Sequence, residues 1–121
     1  MFKPLTAMQT GIYFDQSRDP SSPRYNVGVT LETFTHVDPL VLKKTIALLS
    51  QKLDILSMGL VVDPDGGVLQ QFDAPKPIDF FYLDLSADED AVSSARAHIN
   101  KNYPQAFNLL QDQLLAVSLY R

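Results

Sequence analysis

The chain has 121 residues, a net charge of −4 and a hydrophobic fraction of 45%, values that fit one globular domain, or a piece of one, and exclude a disordered segment. It carries no basic run, which argues against nucleic acid or an anionic membrane as partner, and no cysteine, which excludes disulfides, thiol chemistry and zinc–thiolate sites. No apolar run approaches the ~20 residues that span a bilayer, the opening Met1-Phe2-Lys3-Pro4 lacks the apolar core of a secretory signal, and a cytoplasmic protein is expected.

The first predicted element is a helix over Thr6–Phe14. Thr6 and Gln9 form the capping-box pattern T-x-x-Q, and Met8 and Ile12, one turn apart, are expected to face inward. Gly11 interrupts this helix at a cost of about 1 kcal/mol relative to alanine, a position that close packing explains before ligand binding does. Asp19-Pro20-Ser21-Ser22-Pro23 is a loop by composition. Tyr25, Val27, Val29 and Leu31 then alternate with Asn26, Gly28, Thr30 and Glu32, the pattern of a strand with one buried face.

The strongest helical pattern runs from Asp38 to Leu56. Asp38 is a capping residue and Pro39 suits the first helical position. Leu42, Ile46, Leu49, Leu53 and Leu56 recur at helical spacing, a stripe that must bury itself against another layer. Gly59–Val62 and Val68–Phe72 flank Pro64-Asp65-Gly66-Gly67, a strong turn, and predict a hairpin. Pro75 and Pro77 bracket a break before a strand over Ile78–Leu85.

Ser86 and Glu89 make a second capping-box pattern. Asp88, Glu89 and Asp90 suit a helix N-terminus, and capping accounts for this acidic cluster more simply than a cation site, since no calcium-loop pattern is present. Val92, Ala95, Ile99 and Tyr103 form the stripe of a third helix, stopped by Pro104. Leu114–Tyr120 is apolar on both faces and predicts a central strand. The order defines an α/β two-layer sandwich, helices packed on a mixed β-sheet. A central strand at the end of the chain leads us to expect a domain incomplete at its C-terminal end.

No phosphate loop and no nucleophile elbow is present. The two histidines, His36 and His98, have no partner at metal-ligand spacing and read as surface or rim residues. The residues by themselves carry no catalytic constellation.

One series of motifs does carry a resemblance. Leu5-Thr6-Ala7-Met8-Gln9-Thr10-Gly11-Ile12-Tyr13-Phe14, then Gln16, Asp19-Pro20 and Tyr25-Asn26-Val27, resembles the opening of condensation domains of nonribosomal peptide synthetases. Asp38-Pro39-Leu40, Asp65-Gly66-Gly67-Val68-Leu69-Gln70, Asp84-Leu85-Ser86 and Phe107-Asn108-Leu109 with Leu114 follow in the family's order. The resemblance spans residues 1–121 and implies the N-terminal lobe of a two-lobed fold similar to chloramphenicol acetyltransferase. It implies joining of acyl or aminoacyl groups by an amide bond. The chain itself would bind no cofactor; the phosphopantetheine would sit on partner carrier proteins. The implied partners are those carriers and the remaining half of the domain or synthetase, with self-association of an uncovered apolar face as a further expectation.

The family's H-H-x-x-x-D-G motif is absent, so no catalytic residue is assigned and the chain is expected to be inactive alone. Gln9, Tyr13, Tyr25 and Asn26 are the matched positions that would border the substrate tunnel; weighted above that reading, Gln9 is a cap and Tyr13 and Tyr25 are core edges, since patterned aromatics are usually packing. Ser57 stands where the family places an arginine, in R-H-E-x-L-R-T, that braces the active-site motif. That departure keeps an alternative open, a small non-catalytic module that docks a carrier protein or synthetase. A relative acting on coenzyme A thioesters would need the same absent histidine motif.

Overall fold

The computed structural model describes residues 1–74 and 76–121; the break expected at Pro75 lies outside them. The Pro64–Gly67 turn closes a hairpin between β2 (Gly59–Val62) and β3 (Val68–Gln71), with Val62 opposite Val68. Asp63 N–H donates to the Gly67 carbonyl and Gly66 N–H to that of Asp63, each at 2.8 Å. Gly66 takes φ +84°, a left-handed geometry that a side chain resists. The other edge of β3 pairs antiparallel with β1 (Phe2–Pro4), giving the order β1-β3-β2. Three residues ending in proline are too short to show a period, so β1 was invisible in the sequence pattern.

A second sheet pairs β4 (Asp79–Leu83) with β5 (Ala116–Tyr120) in parallel, Asp79 opposite Ala116 and Leu83 opposite Tyr120. The connection between them carries helix α3 (Ala91–Asn102), as a parallel pair requires. Antiparallel and parallel pairings are thus both present, divided between two sheets. The expected central strand, β5, pairs with β4 alone among the described residues.

Helix α1 (Ala7–Arg18) starts with the predicted capping box. Thr6 Oγ1 accepts from Gln9 N–H at 3.3 Å, and Gln9 Oε1 accepts from Thr6 N–H at 2.8 Å. It runs a turn beyond the expected Phe14, up to Asp19-Pro20, because Asp15–Arg18 contain no breaker. Helix α2 (Pro39–Lys52) is capped by Asp38 Oδ1, which accepts from Leu40 N–H at 2.8 Å and Val41 N–H at 3.2 Å. The backbone turns extended at Leu53, and Asp54–Leu56 form a short 3₁₀ turn rather than the end of the helix.

Three expectations need correction. Met8, expected to face inward with Ile12, is 78% exposed. Tyr25–Glu32 is not a strand: it pairs with no segment among the described residues. Val27, Val29 and Leu31 are 93%, 81% and 87% exposed. Alternation makes a strand possible, but a strand exists only with a ladder partner. The third helix does not start from the Ser86 capping box. Asp84 Oδ1 accepts from Ser86 N–H at 2.9 Å, and the cap is Asp90, whose Oδ1 accepts from Ser93 N–H at 3.0 Å while Oδ2 accepts from its hydroxyl at 2.7 Å. An Asp-based turn thus captured Ser86 first.

Burial is concentrated around α1 and the three-stranded sheet. Leu60 and Leu85 are the buried apolar residues among those described, beside buried Gln16, Ser57 and Gln70. The α2 stripe is half-covered at Leu42 and Ile46 and open at Leu49 and Leu53.

Candidate functional site: a hollow along the first helix

The α1 capping box does more than start a helix. Gln9 uses its carbonyl oxygen on Thr6, which leaves its amide nitrogen pointing onward, and Nε2 donates to Gln70 Oε1 at 3.2 Å. Gln70 in turn donates from Nε2 to the Pro4 carbonyl at 2.8 Å. One relay of side-chain amides therefore fastens β1, β3 and α1 together, and burial of Gln70 keeps water from competing for it.

One turn beyond Gln9, Tyr13 stands between two hollows. A smaller one, about 130 Å³, has apolar walls from Leu5, Ile12, Met58, Leu60 and Leu114, with Gln9 at its edge. A larger one, about 410 Å³, lies between the second half of α1 and residues 106–112, with Ser17, Asn108 and Asp112 as polar wall groups. Tyr13 and Leu109 line both. The far wall is braced from outside: Lys76 Nζ donates to the carbonyls of Leu110 at 3.2 Å and Gln111 at 2.6 Å, and Asn108 N–H donates to Asp112 Oδ2 at 2.6 Å.

Gln9 and Tyr13 are thus brought together on one wall. Tyr25 and Asn26 line neither hollow. The Tyr25 hydroxyl and Arg24 Nη1 each donate to Asp15 Oδ2 at 2.7 Å. Those two bonds, Tyr25 first, hold the Asp15 carboxyl below its ordinary range, and the carboxylate raises the Tyr25 phenol. Asn26 acts as a clamp: its Nδ2 donates to the carbonyls of Tyr103 at 2.7 Å and Gln105 at 2.9 Å, while the Tyr103 hydroxyl donates back to the Asn26 carbonyl at 2.9 Å.

The histidines stand apart from the hollows. His98 lies on α3 with its ring stacked on Phe81 at 6.4 Å and tilted against Tyr120 at 6.1 Å; His36 is exposed in the turn before α2. No group of three His, Cys, Asp or Glu residues could hold a metal among the described residues.

Three glutamine and serine roles escaped the sequence reading. Gln16 is buried, its Nε2 donating to the carbonyls of Asp19, Pro20 and Ser22, and so shapes the loop after α1. Ser57 is buried, donating to the Asp54 carbonyl at 3.3 Å. Gln113 Nε2 donates to the adjacent Leu56 carbonyl at 2.7 Å, and its Oε1 is buried with no partner among the described residues. Gln16 had a sequence signal in its place in the opening motif and Ser57 in its departure from the family's arginine; Gln113 had none.

A two-layer α/β architecture, an amide-braced first helix and two hollows that share Tyr13 and Leu109 define the lobe. The Condensation domain family model matches residues 1–121, and the chain belongs to that family. It is 27% identical, over 98% of its length, to an isonitrile lipopeptide synthase of Streptomyces coeruleorubidus, of which it spans 8%. The starter condensation domain of rhizomide synthetase RzmA superposes with a TM-score of 0.84 at 27% identity, over 100% of this chain and 29% of that one. The first condensation domain of the calcium-dependent antibiotic synthetase gives 0.87 at 22% identity, over 99% and 29%, a likeness of fold. No described helix is long and apolar enough to cross a membrane.

Proposed function

We propose that this chain is the N-terminal lobe of a nonribosomal peptide synthetase condensation domain of a cytoplasmic assembly line. The complete domain joins a carrier-tethered acyl or aminoacyl group to an amine by an amide bond. The observation that carries this reading is the family match across all 121 residues, supported by the order of the opening motifs. The partners are carrier proteins, which bring the phosphopantetheine, and the rest of the condensation domain. Gln9 and Tyr13, on one wall of the hollow, border the substrate path in this reading; Tyr25 and Asn26 contribute by fixing the loop after α1.

The chain is inactive by itself in this reading, since its sequence holds no adjacent histidine pair to take the amine's proton. The test is amide formation from acyl- and aminoacyl-loaded carrier proteins. The chain alone is expected to give none, and fusion to the remaining residues of a starter condensation domain is expected to give product. An enzyme-like rate from the chain alone would overturn the reading of an incomplete catalyst.

Burial of Ser57, where the family has a bracing arginine, favours a second reading, a non-catalytic module that docks a carrier protein or synthetase. Saturable carrier binding by the chain, with a fusion still inactive until Ser57→Arg is introduced, would support it. Absence of any carrier binding would remove it.

A further inference from the structure

The segment between α3 and β5 is tied to the rest of the molecule at three points. Asn26 Nδ2 donates to the Gln105 carbonyl at 2.9 Å. Lys76 Nζ donates to the carbonyls of Leu110 at 3.2 Å, Gln111 at 2.6 Å and Asp112 at 3.4 Å. Gln113 Nε2 donates to the Leu56 carbonyl at 2.7 Å. Between the first two ties, residues 106–109 cross in front of α1 and face it over the larger hollow, about 410 Å³. No hydrogen bond joins α1 to residues 106–112 among the described residues. A segment tied at its ends and unbonded across a gap stands off from its neighbour by a distance that its ties set.

The Lys76 tie differs in kind from the other two. Residues 108–112 form a single turn closed from within. Asn108 Oδ1 accepts from Leu110 N–H at 3.2 Å and Gln111 N–H at 3.3 Å, its carbonyl accepts from Asp112 N–H at 2.8 Å, and Asp112 Oδ2 accepts from Asn108 N–H at 2.6 Å. A turn closed in this way leaves its last carbonyls free at its C-terminal end, where a cation is favoured. One ammonium, with its three donors, takes all of them, through charge-assisted bonds stronger than neutral ones. Lys76 is the one hydrogen-bonding group from another segment that reaches residues 106–112 among the described residues. Leu109, inside the turn, lines both hollows, so a shift of the turn changes both.

We propose that residues 106–112 are a strap whose separation from α1 is set by Lys76, and that Lys76 is thereby a positioning residue for the acyl group that the larger hollow admits. The strap stands on the contacts alone; the acyl group rests on the condensation reading.

The chain has no cysteine, so one introduced thiol reports the width of the hollow. Ala106 lines the larger hollow and is half-buried, and Ala106→Cys adds a single sulfur there. Its alkylation by iodoacetamide and by a bulky pyrene maleimide is compared with Lys76 intact and with Lys76→Met, which keeps the length and removes the charge. The ratio of the two rates is read, because a change in thiol ionisation moves both reagents together. Lys76→Met should raise the relative rate of the bulky reagent about fivefold or more. It should also speed hydrogen exchange at the amides of residues 110–112 about tenfold, with α1 and the β2–β3 hairpin unchanged. Lys76→Arg, which keeps charge and donors, should restore both. In the fusion that tests amide formation, Lys76→Met should change KM for the acyl-loaded carrier about threefold or more, with kcat within about twofold.

An unchanged rate ratio, or unchanged exchange at residues 110–112, would overturn the strap. So would exchange that rises equally in α1 and the hairpin, since Lys76 would then stabilise the whole fold, or a Lys76→Arg that restores neither reading. An active fusion whose KM ignores Lys76→Met would overturn the positioning role. A fusion that forms no amide with Lys76 intact would count against the condensation reading, and the positioning role would fall with it, while the thiol and exchange measurements still decide the strap.

Discussion

The region around α1 and the region from Val27 through α2 start from equally clear sequence patterns and end differently. Around α1, the cap residue Gln9 also reaches Gln70, and Gln70 reaches Pro4, so three elements share one relay of amides. Leu60 is buried on the β2 strand of the same sheet. From Val27 through α2, the alternation and the Leu/Ile stripe are at least as regular, yet no residue of α2 is buried and the would-be strand is almost fully exposed. The second region is held at its start, by the Asn26 clamp, while Asp38 caps the first turn of its own helix. Amphipathic pattern supplies a face; polar groups that tie it to a specific neighbour, and a neighbour to cover it, decide whether that face is packed.

The contrast can be broken most strongly at Gln70. Gln70→Ala removes the centre of the relay, strands the Gln9 amide and opens space, and should destabilise the chain by about 2–3 kcal/mol in chemical denaturation. A loss below about 0.5 kcal/mol would show that the relay is ornamental to stability.

Next in size is Gly28→Val, whose side chain would meet the Tyr103 ring and push the segment off α3. A loss of about 1–2 kcal/mol is expected, with the Asn26 clamp weakened in parallel and visible as faster exchange of the amides that follow it.

Asp38→Ala should cost about 1 kcal/mol through the lost cap of α2, which sharpens the claim that this helix depends on its own first turn. Leu31→Thr, in the exposed stretch, should change monomer stability by less than about 0.5 kcal/mol. The same substitution in a buried strand would not be so mild.

The smallest effect is electrostatic. Hydrogen bonds from Tyr25 and Arg24 to Asp15, from Ser86 to Asp84 and from Ser93 to Asp90 lower these carboxyl groups from their ordinary value of 3.8. A lowered folded-state value means that their stabilisation is complete above 3.8 and is lost as pH falls through the lowered values. Thermal unfolding followed against pH should show a modest decline confined to that acidic window, reduced in Asp90→Asn. A decline centred near neutrality would contradict the assignment.

Much of the chain was decided locally and was therefore legible. The capping box at Thr6 and Gln9, the cap at Asp38, the turn at Pro64–Gly67 and the hairpin of β2 and β3 depend on neighbours within a few residues. The opening motif likewise pointed to the family that the whole-chain match then showed. Of the four candidate positions, Gln9 and Tyr13 share a helix face one turn apart, so their common wall followed from spacing, whereas the bonds of Tyr25 and Asn26 depend on where Asp15 and Tyr103 come to lie.

What only the tertiary structure decided are the pairings between distant residues. Strand β1 exists because β3 offers Phe2 a partner at Gln71, 69 positions along the chain by the register Phe2↔Gln71. Residues 27–31, with a better strand pattern, remain unpaired because no described edge reaches them. The helix before β5, by contrast, begins at Ala91 rather than at Ser86 for a local reason: Asp84 takes the Ser86 N–H and Asp90 supplies the cap at Ser93. Local sequence sets what each segment can become at a cost of a few dihedrals; a ladder or a buried face is realised only when a second segment arrives to share it.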